Sequence, residues 1–393
     1  MKNKLLIVLS IFILVSCNKD DSNTDPDNQL NIVVTSYEPK KAFYGGILTI
    51  TGENFDRNAD NTITINGQEQ EIKLVLDNKI EVKIVEGTSS GEIQLSNSGG
   101  SSKIGDILVA NEIVYTELNT VDYNFGVFKI NSGTGKKEDF IFDNFCNVPS
   151  YNSYGISYNK QDKEFTGYSD LDVNGQYYYY YHKYSIENSS CESVNVNKGF
   201  RSLKHTDDGR VFGVFIDNLV EIDSETGFFI RFVLQDIRIR NIQYDSDNNQ
   251  FLMYVNETNT SELHTYDLST EAHTVVDLNS RFIQALKLLP NGRLLATGPR
   301  GPYNCRALYE LNKETGEASD PFFTMPSEYC PANQNHDMYG MAYLPSINSL
   351  LINVKTSNDE RKHMVYDLDT NEYEMTNLPS GQVNSTLFVL EDL

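Results

Sequence analysis

One pattern recurs six times between residues 127 and 368 and limits the folds open to this 393-residue chain. Each copy is a strand-like run that ends in an aliphatic residue and is followed by a polar turn. The aliphatic positions are 36 to 57 residues apart and are Ile130, Ile186, Ile222, Leu268, Leu311 and Leu368. A second element precedes most copies, in which a turn such as Asp207-Asp208-Gly209 separates two apolar runs. The chain is therefore built from repeated multi-stranded units.

Repeats of about 40 to 50 residues with several strands each are typical of a β-propeller. The first repeat offers three strands, at 113–118, 125–131 and 137–142, and one unassigned strand remains at 385–391. An open ring would leave unpaired strand edges. We therefore predict a six-bladed β-propeller over 113–393 that is closed by the C-terminal strand. Abundant Tyr, Val, Ile and Thr without long amphipathic helical patterns also favour an all-β chain.

Residues 31–110 show strand alternation of their own. In Leu48-Thr49-Ile50 and Ile63-Thr64-Ile65 apolar residues alternate with Thr, and Asn66-Gly67 is a tight-turn pair. These runs, with 80–84 and 91–97, resemble the IPT/TIG family of Ig-like domains. The resemblance implies an N-terminal Ig-like β-sandwich that serves as a spacer or an interaction module. We interpret 56–61 as a solvated loop, since its spacing matches no known calcium loop.

The first 21 residues have the layout of an export signal. Lys2 and Lys4 precede an apolar run over 5–15, which is too short for a permanent membrane span. The ending Leu14-Val15-Ser16-Cys17 resembles the lipobox of bacterial lipoproteins, which implies a signal peptide over 1–16, cleavage before Cys17 and lipidation of its thiol. The alternative is a plain secretory signal with a chance cysteine.

The stretch 17–30 is polar and acidic, which predicts a flexible tether because it has little apolar surface to bury. Acidic residues after Cys17 resemble the surface-export signal of Bacteroidota lipoproteins. The resemblance implies anchoring in the outer membrane through lipid, facing the cell exterior, with the periplasmic face as the alternative.

Charge and cysteine content exclude some functions. The formal net charge of −23 argues against nucleic acid as a partner, because phosphate backbones would be repelled. Besides Cys17 the chain has four cysteines, an even number that suggests two disulfides in an oxidising compartment. We favour Cys305 with Cys330, which leaves Cys146 with Cys191. No CxxC spacing supports a metal site.

No catalytic or cofactor signature stands out: GxSxG, HExxH, Walker and GxGxxG motifs are missing from the sequence, and we expect no cofactor. Four of the six histidines fall in or beside predicted strands, where packing is the usual role. His336-Asp337 is the most site-like pair. The run 245–249 has the composition of a cation loop, but its place in the repeat predicts a hairpin turn.

Two long inter-blade loops, 146–155 and 329–340, resemble each other and belong to the propeller end where loops connect the blades. Long loops on a rigid scaffold often carry binding residues. Tyrosine rings can stack on sugars and amides can bond their hydroxyls. The alternative is that these tyrosines only pack the loops. The candidate binding residues are Tyr151, Tyr154, Arg238, Arg240, Arg281, Arg300, Tyr303, Tyr329, His336, Asp337 and Tyr339.

Three functions are compatible with this organisation. The first is a non-catalytic binding lipoprotein that captures polysaccharide at the cell surface, as the resemblance to TIG-bearing accessory lipoproteins of glycan uptake implies. The second is a protein–protein scaffold or accessory subunit of an outer-membrane transporter or assembly complex. The third is a propeller-based glycan lyase or hydrolase.

Overall fold

A computed structural model describes residues 32–55, 57, 61–97, 100–110, 113–119, 125–130, 137–143, 146, 152–257, 260–279, 281–299, 305–326, 337–356, 361–377 and 382–390. The predicted signal peptide, the tether and Cys17 lie outside these residues. Within the described residues, no helix is long and apolar enough to cross a membrane.

The N-terminal strands form a β-sandwich of two sheets. The sheets have the orders β1-β3-β7-β6 and β2-β9-β8-β4-β5. The strands are β1 (Val33–Glu38), β2 (Lys41–Phe43), β3 (Ile47–Glu53), β4 (Thr62–Ile65), β5 (Gln68–Glu69), β6 (Glu71–Leu76), β7 (Lys79–Lys83), β8 (Gly91–Asn97) and β9 (Gly100–Ala110).

Alternation along the strands builds the sandwich core. Leu48 and Ile50 of β3 and Ile63 and Ile65 of β4 are fully buried, while the intervening threonines face outward. Burial of each such side chain contributes roughly 1.5–3 kcal/mol. Asn66 has a φ of 47° and Gly67 a φ of 79°, which closes the hairpin between β4 and β5. The predicted Ig-like fold is confirmed.

The remaining strands form six four-stranded antiparallel sheets, here blades 1 to 6. Blade 1 is β10 (Ile113–Asn119), β11 (Phe125–Ile130) and β12 (Lys137–Asp143) with β33 (Gln382–Leu390). Blade 2 is β13 (Asn152–Asn159), β14 (Glu164–Val173), β15 (Gln176–Ser185) and β16 (Ser190–Val196). Blade 3 is β17 (Arg201–His205), β18 (Val211–Phe215), β19 (Asn218–Ile222) and β20 (Phe229–Leu234).

Blade 4 is β21 (Ile239–Asp245), β22 (Gln250–Asn256), β23 (Ser261–Asp267) and β24 (His273–Asp277). Blade 5 is β25 (Ala285–Leu288), β26 (Leu294–Pro299), β27 (Arg306–Leu311) and β28 (Phe323–Thr324). Blade 6 is β29 (Asp337–Leu344), β30 (Ser349–Lys355), β31 (Arg361–Asp367) and β32 (Tyr373–Asn377), with a 3-10 turn at Pro345–Ile347. The six-bladed propeller predicted from the repeats is confirmed.

The inner strands of the blades form a closed ring. Strands β13, β17, β21, β25 and β29 each contact the next, and β33 contacts both β29 and β13. The C-terminal strand β33 also pairs antiparallel with β10, from Ile113 with Leu390 to Asn119 with Gln382. The last strand of the chain is thus the inner strand of the blade that the first propeller strands build.

Adjacent blades bury their sheet faces against each other. Phe212 and Val214 of blade 3 share a core with Phe251 and Met253 of blade 4, and Phe212 and Phe251 stack edge to face with ring centroids 5.0 Å apart. Tyr254 of blade 4 likewise belongs to a buried cluster that includes residues of blade 5. Adjacent blades therefore supply each other's core, since a sheet buries its hydrophobic face only against another element.

The recurrent polar turn follows the third strand of most blades. The side chain of its first residue accepts backbone N–H groups: Asp223 Oδ1 from Thr226 at 2.7 Å and Asp267 Oδ1 from Ser269 at 2.7 Å. Gly227 then adopts a φ of 70° with no room for a Cβ, which would lie 2.2 Å from the ring of Tyr181. This explains why the pattern recurs with Asp or Asn first and often Gly last.

The sandwich packs against blade 6. Phe43 and Ala110 share a buried cluster with Leu344 and Ile347 beside the turn between β29 and β30. Lys41 Nζ donates to Asp367 Oδ1 at 2.8 Å and to Asp369 Oδ2 at 2.9 Å. Burial alone would lower the pKa of Lys41, but the bonds to these carboxylates raise it above its usual value. A cleft of about 630 Å³ lies beside this contact.

Candidate functional site

The propeller has two ends with different chemistry. We call the end with the turns between the first and second strands of each blade the turn face. The opposite end carries the connections between blades, and we call it the loop face. The inner strands run from the loop face to the turn face, so their first residues lie at the loop face and their last residues at the turn face.

Most of the candidate residues predicted from the sequence have no described side chain. Tyr154 lies in β13, and Asp337 and Tyr339 lie in β29, at the loop-face ends of two inner strands. Five others lie outside the described residues: Tyr151, Arg300, Tyr303, Tyr329 and His336. Side chains are described for Arg238, Arg240 and Arg281.

Arg238 and Arg240 stand exposed at the loop-face end of blade 4. They flank the buried Ile239, and both side chains are exposed. Neither forms an ion pair with a carboxylate of the described residues. Arg281 differs, because it is half-buried and its Nη1 donates to the carbonyl of Gly316 at 3.1 Å. Arg281 therefore makes a structural hydrogen bond within the propeller.

The neighbouring blade adds residues that sequence reasoning missed. Arg201 begins β17 and its Nη2 donates to the carbonyl of Ile216 at 3.5 Å. Ile216 is 61% exposed, and the N–H of Ile237 donates to the carbonyl of Asp217 at 2.6 Å, which ties this loop to Arg238. The signal was present in the repeat, because Arg201 and Arg240 both stand at the start of an inner strand.

The other arginines with described carboxylate contacts lie elsewhere. Away from the loop face, Arg210 pairs with Asp208, Arg231 with Glu221 and Glu271, Arg293 with Glu310, and Arg57 with Asp77. The loop face also carries the acidic residues Asp217, Asp236 and Glu257, all exposed. Even so, Arg238 and Arg240 stay outside any described ion pair in a chain whose net charge is −23.

A second concave site lies at the turn face, which sequence reasoning did not select. It is a cleft of about 360 Å³ between blades 4, 5 and 6. Tyr244, Lys287 and Tyr343 line it together with the turn 245–248. The Tyr244 hydroxyl donates to Asn249 Oδ1 at 3.2 Å, and that of Tyr343 to Asn348 Oδ1 at 3.0 Å. Both asparagines adopt a left-handed backbone.

The acidic turn 245–249 is used by the fold. The Asp245 carboxylate accepts the side-chain N–H of Asn248 at 2.9 Å and that of Gln250 at 3.0 Å, in addition to the backbone N–H of Asn248. These bonds shape the hairpin between β21 and β22. Among the described residues, no three His, Cys, Asp or Glu side chains are arranged to hold a metal ion.

The buried His182 and His363 and the half-buried His205 lie within the blades. His182 bonds Ser169 Oγ at 2.6 Å and Ser193 Oγ at 2.8 Å, and burial lowers its pKa to about 3. His205 bonds Thr166 Oγ1 at 2.7 Å, and burial, with the charges of Lys183 and Lys204, lowers its pKa to about 4. Burial also lowers the pKa of His363 to about 4. These histidines are neutral at physiological pH.

The structure describes three of the four cysteines predicted to form disulfides. Cys146 and Cys191 form a disulfide, with Cα atoms 5.1 Å apart, which ties the connection after blade 1 to the outer strand of blade 2. Cys305 is buried between blades 5 and 6 and is disulfide-bonded. Cys330, its predicted partner, lies outside the described residues.

Comparison with known proteins supports the fold. Residues 33–108 match the IPT/TIG domain family, and no curated protein matches the chain. TolB from Acinetobacter baumannii is similar at 9% identity, covering 91% of this chain and 98% of TolB with a TM-score of 0.52. An auxiliary nutrient binding protein from Bacteroides thetaiotaomicron is similar at 15% identity. The alignment covers 92% of this chain and 86% of that protein, with a TM-score of 0.37. A DUF4784 family protein from Bacteroides caccae has 11% identity, with 92% and 100% coverage and a TM-score of 0.42.

Proposed function

We propose that this protein is a non-catalytic binding lipoprotein of the outer membrane that captures acidic glycan at the cell surface through the loop face. The observation that carries the proposal is the exposed Arg238 and Arg240 pair without a carboxylate partner among the described residues. Guanidinium groups bind carboxylate and sulfate in a bidentate geometry, so such a pair suits a polysaccharide with acidic groups.

The neighbourhood of the pair supports a sugar ligand. Ile216 is 61% exposed and Phe282 is 46% exposed on the same face, so this face offers apolar surface as well as cations. A pyranose has an apolar face as well as hydroxyls, so mixed apolar and hydrogen-bonding surfaces suit it. In this proposal Tyr151, Tyr154, Tyr303, Tyr329, His336, Asp337 and Tyr339, with Arg300, complete the loop face.

Replacing both arginines tests the site. In affinity gel electrophoresis we expect the Arg238→Gln/Arg240→Gln variant to lose retardation by polygalacturonate by at least tenfold, since each charge-assisted bond is worth roughly 1.5–3 kcal/mol. Arg210→Gln is the matched control, because Arg210 pairs with Asp208 away from the loop face. Equal retardation of the wild-type protein and the double variant would contradict the proposed site.

A scaffold function is the second candidate, and one observation favours it. Ile230 and Phe232 of the outer strand of blade 3, and Phe228 just before it, are 52%, 41% and 43% exposed. Apolar side chains on a free strand edge suit a protein partner. Failure to bind any polysaccharide, together with co-purification of an outer-membrane barrel that Ile230→Lys abolishes, would favour the scaffold.

The membrane anchor is tested separately. If Cys17 carries the lipid, the Cys17→Ser variant should leave the membrane fraction and should not incorporate palmitate, because each buried acyl methylene contributes about 0.8 kcal/mol to membrane binding. Wild type should label and sediment with membranes. A Cys17→Ser variant that still sediments with membranes would contradict the lipid anchor. Protease shaving of intact cells then distinguishes the exterior from the periplasmic face.

A further inference from the structure

Two histidines meet on the two outer strands of blade 4. His264 lies in β23 and His273 begins β24, and these strands pair so that His264 is opposite Val275 and His273 is opposite Tyr266. The two histidines are therefore diagonal neighbours on one face of the sheet. His273 Nε2 lies 3.0 Å from His264 Nδ1, and the ring centroids are 5.0 Å apart. A hydrogen bond thus joins the two imidazole rings directly.

A carboxylate determines which ring nitrogens carry protons. His264 Nε2 lies 2.8 Å from Glu262 Oε2, and an ionised carboxylate only accepts hydrogen bonds. In neutral His264 the proton is therefore on Nε2, and Nδ1 presents a lone pair that accepts the Nε2–H of His273. Histidines that bind metal ions commonly donate their other ring N–H to a carboxylate in this way, because that bond fixes the ring and raises the basicity of the ligating nitrogen.

The pair combines one fixed ring with one accessible ring. His264 is 6% exposed and both of its ring nitrogens are hydrogen-bonded, so its orientation is set by the fold. His273 is exposed, and partial desolvation, together with the charge of His264, lowers its pKa. A lowered pKa favours the neutral imidazole that binds metals. On the same face Glu262 is opposite Asp277, so the surroundings are acidic and attract a cation.

The distance between the two nitrogens indicates which metals suit the pair. At metal–nitrogen bonds of about 2.1 Å, two nitrogens 3.0 Å apart subtend an angle of about 90° at the metal. This is the angle between neighbouring ligands in the tetragonal complexes that Cu²⁺ and Ni²⁺ form with nitrogen, whereas tetrahedral zinc sites need a wider angle. Water fills the remaining positions, since no group of three His, Cys, Asp or Glu among the described residues is arranged to hold a metal ion.

We propose that His264 Nδ1 and His273 Nε2 form a two-histidine site for Cu²⁺ or Ni²⁺ on the outer strands of blade 4, with Glu262 as the carboxylate that positions His264. On binding, the metal ion takes the place of the proton between the two rings. His273 loses that proton from Nε2 to solvent and takes one up at Nδ1, so the neutral pair releases no net proton. The site is separate from the loop-face arginines and does not rest on the glycan function.

Exchanging two neighbouring side chains in the full chain tests the site. His273→Thr/Thr274→His keeps the composition but moves the imidazole to the opposite face of β24, where Thr274 is exposed. In isothermal titration calorimetry with Ni²⁺ alone, we expect this variant to bind about tenfold more weakly than wild type, because the second nitrogen of a chelate binds intramolecularly. Ni²⁺ bound by other histidines is common to both proteins. Equal Ni²⁺ affinities would overturn the site.

Two further measurements leave both ligands in place. Glu262→Gln keeps an acceptor for His264 Nε2 but removes the charge, and we expect the Ni²⁺ affinity to fall about tenfold. Electron paramagnetic resonance with one equivalent of Cu²⁺ should show two imidazole nitrogens in wild type and one in the exchanged variant. A wild-type spectrum with a single nitrogen would overturn the site even if the exchanged variant did not fold. Arg238→Gln/Arg240→Gln should keep the Ni²⁺ affinity, so failure of this site and failure of the loop-face site are distinguishable.

Discussion

Truncation of the chain before Gln382 should destroy the cooperative unfolding of the propeller. The strand β33 pairs with β10 over six register positions and contacts the inner strands of blades 2 and 6. Its loss leaves a blade of three strands and a gap in the inner ring. With about 1 kcal/mol for each lost backbone hydrogen bond, we expect the Tm to fall by roughly 10 °C or more.

The matched control removes residues 391–393 and leaves β33 intact, and it should melt like the full-length protein. Adding a peptide of sequence 382–390 to the truncated protein should restore part of the lost Tm, because the vacant position is a strand edge that accepts a partner strand. Differential scanning calorimetry measures all three proteins. Truncated and full-length proteins with the same Tm would show that closure contributes nothing to stability.

The repeat predicted the fold because each blade is specified locally. The bond from Thr226 to Asp223 spans three residues, and the same Asx turn opens at Asp267 and Asp367. Such turns can be predicted from the sequence of any one copy of the pattern. The start of the C-terminal strand was predicted less accurately. The sequence indicated a strand from Ser385, whereas β33 begins at Gln382. Gln382 and Val383 belong to the strand because Asn119 and Leu118 of β10 pair with them, which no local pattern reveals.

The sites were less predictable because charge pairing is long-range. Arg210 pairs with Asp208 two residues away, but the partner of Arg231 on blade 3 includes Glu271 on blade 4. Sequence therefore could not tell which arginines remain without a carboxylate. The long loops drew the prediction to the loop face, and the turn-face cleft, built from short turns, was missed.

Acid should destabilise the propeller between pH 6.5 and pH 4. The pKa of His182 is lowered to about 3 and those of His205 and His363 to about 4, whereas an unfolded histidine has a pKa of about 6.5. Above pH 6.5 all three are neutral in both states and have no effect on the pH dependence. Below it the unfolded chain takes up protons that the folded chain excludes, so the free energy of unfolding falls.

The expected loss is on the order of 2 kcal/mol per histidine at pH 5. It levels off once the pH passes below the folded-state pKa values. Carboxylates with lowered pKa values, such as Asp223 and Asp267, lose their contribution only below about pH 4, so their effect is separated by pH. Urea unfolding at pH 7.5, 6.0, 5.0 and 4.5 measures the curve.

Two substitutions distinguish burial from hydrogen bonding as the origin of the effect. His363 is fully buried, and its ring nitrogens have no hydrogen-bond partner among the described residues. His363→Leu should therefore keep or raise the stability at pH 7.5 and remove about a third of the acid-induced loss. His182→Leu should remove a similar share of the acid-induced loss. It should also lower the stability at pH 7.5 by about 1–3 kcal/mol for each serine hydroxyl left without a hydrogen-bond partner, namely those of Ser169 and Ser193. If His363→Leu retained the whole decline between pH 6.5 and pH 4, the burial of neutral histidines would not be its cause.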